Sequence, residues 1–79
     1  MRLDKYLKVS RLIKRRSVAK EACEKDRVLI NNKIAKPGTE VKVGDQIEIK
    51  FGDKSVKAEI TSVVEHVRKE AAKDMFKIL

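Results

Sequence analysis

The chain has 79 residues, 41% of them charged and 4% aromatic, and carries 20 Lys and Arg against 12 Asp and Glu for a formal net charge of +8. A chain of this length is one small domain that hides only about 60% of its unfolded surface, which leaves no room for a catalytic domain beside a binding one. A single cysteine, no secretory leader pattern and no apolar run of about 18 residues exclude a disulfide scaffold, a secreted protein and a membrane-spanning one, so the expected location is the cytoplasm.

Taken in chain order, the first pattern is helical. Leu3, Tyr6 and Leu7 fall at i, i+3 and i+4 and make one apolar stripe, flanked by Asp4, Lys5 and Lys8. Ser10 closes this helix or opens a turn. In the following "RLIKRR", Leu12 and Ile13 anchor the turn while Arg11, Lys14, Arg15 and Arg16 point outwards. Ser17 reads as the N-cap of a second helix, its hydroxyl accepting from the amide of Ala19 or Lys20. Val18, Ala19, Ala22 and Cys23 lie on one face of that helix, which is expected to pack Val18, Ala22 and Cys23 against Leu3, Tyr6 and Leu7. Asp26 or Arg27 ends it.

From Arg27 the period changes to two. Val28-Leu29-Ile30 reads as a strand, Asn31-Asn32 as a turn that tolerates positive φ, and Lys33-Ile34-Ala35 as the return strand. Pro37-Gly38 marks a turn, and Val41 and Val43 alternate with polar residues up to Gly44-Asp45. Ile47, Ile49 and Phe51 alternate with Glu48 and Lys50 as a half-buried strand, and Val56, Ala58 and Ile60 repeat the pattern after Gly52-Asp53. The sheet is expected to be small, antiparallel and strongly twisted. From Val67 the spacing turns helical again, with Ala71, Ala72, Met75 and Phe76 on one face. The predicted organisation is an α+β domain over 1–66 and a helical extension over 67–79.

No catalytic constellation emerges. His66 is the sole histidine and reads as an inert surface residue, and Cys23 reads as a small core hydrophobe. No Cys/His cluster has metal-ligand spacing, and the three glycines, Gly38, Gly44 and Gly52, sit at turns rather than in a phosphate loop. The expectation is a non-enzyme with no cofactor and no metal.

The charge is unevenly placed. Residues 1–27 hold ten Lys and Arg against four acids, and residues 2–16 hold seven against Asp4 alone. A docking face accounts for that asymmetry better than solubility does. Arg and Lys meet nucleic-acid phosphates, arginine with a planar fork of donors. Only three aromatics, Tyr6, Phe51 and Phe76, are present, which fits single-strand stacking poorly and recognition of double-helical RNA by shape and phosphate better. Arg2, Arg11, Arg15, Arg16 and Lys20 are expected to share a surface if the second helix folds back on the first. Asp4 is either a carboxylate favoured by the helix dipole or the partner of an arginine, Arg11 or Arg16.

The order of helix, basic turn, small-residue helix and strands resembles the RNA-binding domain named after the fourth small-subunit ribosomal protein, the S-four domain with its alpha-L motif. The matching stretches are "RLDKYL" at 2–7, "SR" at 10–11, "RRSVAKE" at 15–21, "RVLINN" at 27–32 and "VKVGDQI" at 41–47. Two positions depart from the pattern: Asp26 stands where glycine is frequent, and Asn32 replaces the glycine of an Asn-Gly turn, both where positive φ is wanted. The chain is similar to free-standing members, the heat-shock ribosome-associated type and above all the short quality-control type, which the "KEAAKDMFKIL" tail also resembles. That resemblance implies a monomeric factor of ribosome-associated quality control. It implies contact with rRNA of the large ribosomal subunit and with the P-site tRNA, and support of poly-alanine tailing by an RqcH-type tailing factor, with no membrane involved. Carried over by motif position, Arg2, Asp4 and Arg16 form the RNA-contact set, with Lys5, Lys8, Arg11, Lys14, Arg15 and Lys20 alongside. Other readings are a subunit recycling or assembly factor and a small DNA-binding protein.

Overall fold

The computed structural model describes residues 1–79. Two helices come first, α1 (Leu3–Val9) and α2 (Arg16–Glu24), followed by strands β1 (Val28–Ile30), β2 (Lys33–Ile34), β3 (Gln46–Phe51) and β4 (Lys54–Ile60). A 3-10 segment (Lys69–Met75) then leads into β5 (Phe76–Ile78). All strand pairs are antiparallel, in the order β2-β1-β3-β4-β5. The helix pair packs on one face of this sheet, which is the α+β architecture expected.

The apolar stripe of α1 is wholly inside: Leu3, Tyr6 and Leu7 are fully buried together with Ala19 and Cys23 of α2 and Val28, Ile47, Ile49, Ala58 and Ile60 of the sheet. The face of α2 that enters the core differs from the one anticipated. Its buried pair is Ala19 and Cys23, one turn apart, while Val18 is 48% exposed and lines a groove with Ala22, Ile49 and Phe51. Small side chains at Ala19 and Cys23 let the two helices approach closely. The thiol, desolvated and near the negative charges of Asp4 and Glu24, is pushed up to about 11, which keeps it protonated.

Both helices end with a residue of positive φ. In α2 the amide of Asp26 (φ 58°) donates to the Cys23 carbonyl at 3.1 Å and that of Arg27 to Ala22 at 3.0 Å, the paired bonds of a Schellman cap. The Asp26 departure from glycine therefore falls where the backbone is left-handed. The helix starts earlier than expected: Arg15 is the extended N-cap, no side chain caps the helix, and Ser17 lies inside it. In the β1–β2 turn Asn31 and Asn32 both have positive φ, 51° and 67°. Asn31 also bonds across to the next turn, donating to Asp45 Oδ1 at 3.1 Å and accepting from the Gln46 amide at 2.9 Å. Asp45, buried, is satisfied further by the Lys42 amide at 3.0 Å.

One stretch leaves its alternation unused, and one departs from the pattern reading. Residues 41–43 form no strand, and Val43 is 58% exposed. Their neighbours serve α1 instead: the carbonyls of Thr39 and Pro37 accept from the amides of Leu3 (2.8 Å) and Asp4 (3.1 Å), two of the orphan donors at the helix start. The C-terminal helix expected over 67–79 is a 3-10 segment followed by a strand. The carbonyls that would carry a helical ladder are drawn elsewhere. Asp74 O accepts from Thr61 Oγ1 at 2.8 Å, and Met75 O accepts from the amides of Thr61 and Ser62 and from Tyr6 Oη at 2.7 Å. Phe76–Ile78 then completes the sheet beside β4, and Ala72 and Met75 are buried.

Candidate nucleic-acid interface

Asp4 organises the basic end of the molecule. It lies in the first turn of α1, 2% exposed, and its Oδ1 accepts from the Lys5 amide at 2.8 Å. Arg2 approaches from the extended residue before the helix, with Nε 3.2 Å from Oδ1 and Nη2 3.4 Å from Oδ2. Arg16 approaches from the first residue of α2, with Nε 3.5 Å from Oδ2. A buried carboxylate left alone would cost several kcal/mol, whereas one that accepts a backbone bond and faces two cations is compensated. Both arginine side chains stay half exposed, at 54% and 50%. Asp4 thus engages the Nε and Nη2 of Arg2 and the Nε of Arg16, and about half of each arginine side chain remains exposed.

Of the two readings of Asp4, partner of Arg16 and carboxylate in the helix's first turn both hold. Arg11 is not a partner, and Arg2 is. The spacing Arg-x-Asp straddling a helix start is the signal for the latter: the residue before the helix is extended, so its side chain can fold back over the first turn.

The remaining basic residues divide into three groups. Lys5 leans away to Glu65 of the connector after β4, and the Lys5 ammonium holds that carboxyl below the ordinary carboxylate range. Lys20 follows Arg16 by one turn on the exposed side of α2, with Lys14 and Arg15 exposed just ahead of it. Lys8 and Arg11 line a separate cleft with Glu65 and His66. Lys8, Arg11, Lys14, Arg15 and Lys20 are paired with no carboxylate. Arg2 and Arg16 are therefore brought together as expected, Lys20 continues their side, and Arg11 is turned to a neighbouring surface. Half-exposed arginine side chains beside unpaired ammonium groups suit a polyanion, and no group of three or more His, Cys, Asp or Glu is placed to hold a metal ion.

The S4 domain family model matches residues 1–47. The chain is 58% identical over 78 residues to the RQC P-site tRNA stabilizing factor of Halalkalibacterium halodurans, covering 99% of this chain and 89% of that one. It is 60% identical over 79 residues to the protein of the same name from Listeria innocua, covering 100% and 86%. Among solved structures it resembles the trimeric structure of Vibrio cholerae Heat Shock Protein 15, with a TM-score of 0.91, 30% identity, and coverage of 100% and 81%. No helix is long and apolar enough to cross a membrane. On the strength of the helix pair, the left-handed turns and these matches, the chain belongs to the S4 domain family, among the relatives of the RQC P-site tRNA stabilizing factors.

Proposed function

We propose that this protein is a non-enzymatic RNA-binding factor of ribosome-associated quality control. It binds rRNA of obstructed large ribosomal subunits and the P-site peptidyl-tRNA, and so supports poly-alanine tailing of stalled chains by an RqcH-type factor in the cytoplasm. The observation that carries the reading is the pair Arg2 and Arg16, held on buried Asp4 with their outer edges free. Two cationic forks gathered on one carboxylate suit the phosphates of a folded RNA, which presents them at set spacings. The names of the full-length relatives support the P-site tRNA as one of those ligands.

Sedimentation tests it. The protein is expected to travel with large subunits on a gradient, more so when peptidyl-tRNA is present, and R16E is expected to abolish this while keeping a native circular dichroism spectrum. Equal binding to subunits with and without tRNA would favour a recycling or assembly role of the heat-shock type, a reading the Vibrio cholerae fold match supports. Protein left at the top of the gradient that shifts duplex DNA equally well would overturn both.

A further inference from the structure

The first helix ends on a residue that its backbone does not favour. Arg11 follows the C-cap Ser10 with φ 63°, and its amide donates to the Lys8 carbonyl at 3.1 Å. Glycine takes this left-handed position without strain, whereas a side chain with a Cβ does not. Nothing inside the fold repays the arginine. Its guanidinium is exposed and meets no carboxylate. A strained position held by a long cationic side chain without an internal partner points to an external one.

The surroundings indicate its chemistry. Arg11 lines a cleft of about 110 Å³ with Lys8, Val9, Glu65, His66 and Val67, between the end of α1 and the connector after β4. That is several times the volume of a water molecule, about 30 Å³. Glu65 is the one acid in the lining, and it is engaged by Lys5. Lys8 and Arg11 therefore face the opening uncompensated, and the His66 imidazole adds a further donor. A guanidinium fork, an ammonium and an imidazole around one small polar opening match a tetrahedral oxyanion. Lys8 is also one helical turn beyond Asp4, so the cleft lies on a surface neighbouring the one that carries Arg2 and Arg16.

We propose that this cleft is a phosphate pocket in which Arg11, Lys8 and His66 hold one backbone phosphate of the bound RNA, beside those met by Arg2 and Arg16. The assignment rests on the RNA-binding reading above. It gives His66, inert by sequence, a ligand-contacting role, and it explains why an arginine is held in a left-handed backbone position.

The test is R11G, which improves the backbone while removing the contact. Its thermal midpoint is expected to hold or rise by about 4 °C. Its affinity for a short double-helical RNA and for purified large subunits is expected to fall about fivefold to tenfold, with the slope of log affinity against log salt flattened by about one unit. H66A and K8A are expected to weaken RNA binding too and do not depend on the folding of R11G. Unchanged affinity in R11G, or in both H66A and K8A should R11G unfold, overturns the pocket. If R16E weakens binding and these variants do not, the pocket fails alone. If none of them does, the RNA-binding reading fails with it. Inorganic phosphate forms the second arm, followed by amide shifts at Lys8, Arg11 and His66. Loss of those shifts in R11G with RNA affinity intact would assign the cleft to the free ion and overturn the RNA assignment.

Discussion

Arg16 Nε stands 3.5 Å from Oδ2 of Asp4, across the junction of the two helices, and Asp4 is buried while Arg16 is half exposed. The acid positions the base. Replacing Asp4 by Asn removes a negative charge from a basic surface, so a pure charge argument expects tighter RNA binding. The geometry expects the reverse. D4N keeps the acceptor for the Lys5 amide but releases both guanidinium groups, and affinity should fall about fivefold, equivalent to ~1 kcal/mol. Fluorescence anisotropy with a short RNA duplex measures the sign, and tighter binding by D4N would refute the positioning role.

Tyr6 ties the first helix to the last strand through its 2.7 Å bond to the Met75 carbonyl. Tyr6→Phe should cost about 1 kcal/mol and lower the midpoint by about 4–8 °C. The carbonyl is not orphaned, since the amides of Thr61 and Ser62 also donate to it at 2.9 and 3.2 Å. The loss should appear first as faster hydrogen exchange in β5. Uniform loss of protection across all strands would show that β5 has no separate anchorage in Tyr6.

Stability should decline on the alkaline side. Burial pushes the Tyr6 phenol well above its ordinary range and the Cys23 thiol up to about 11. In the unfolded chain these groups ionise near pH 10 and 8.5. Between those values and the folded ones the native state binds more protons, so stability falls with rising pH. It is full below about pH 8.5, and is lost first through Cys23 and then, above about pH 10, through Tyr6. Urea midpoints measured from neutral to strongly alkaline pH check this, and C23A should remove the earlier part of the decline. The same burial predicts that a thiol reagent labels Cys23 only as fast as the protein opens.

Asp26 occupies the left-handed residue after α2, where glycine is unstrained. Asp26→Gly should stabilise the fold by about 0.5–1 kcal/mol. The ion pair with Lys36, at 3.0 Å and exposed on both sides, subtracts little from that gain. Calorimetry decides the sign: a lower midpoint would mean that the contact with Lys36 outweighs the backbone term.

The local elements were legible where a residue's own chemistry suffices. Leu3, Tyr6 and Leu7 announce α1 by spacing, Val28–Ile30 and Ile47–Ile49 announce strands by branching and alternation, and Asn31-Asn32 announces its turn because few other residues accept positive φ. The concentration of seven bases in fifteen residues likewise needs no coordinates. Residues 69–75 were not legible as a 3-10 segment, because Ala72 and Met75 satisfy an α-helical spacing equally well. The choice was made by Thr61, Ser62 and Tyr6, which take the carbonyls of Asp74 and Met75 from afar. The alternation of Val41 and Val43 likewise allows a strand without making one, since only an available neighbouring edge does that.

By itself the sequence determined the fold class and the basic character of one end, since these follow from residue type and short-range period. Tertiary structure decided which arginines Asp4 holds, which face of α2 is buried and where Arg11 points. Those are matters of approach between segments, and a carboxylate cannot select among several nearby guanidinium groups until packing has set the distances to each.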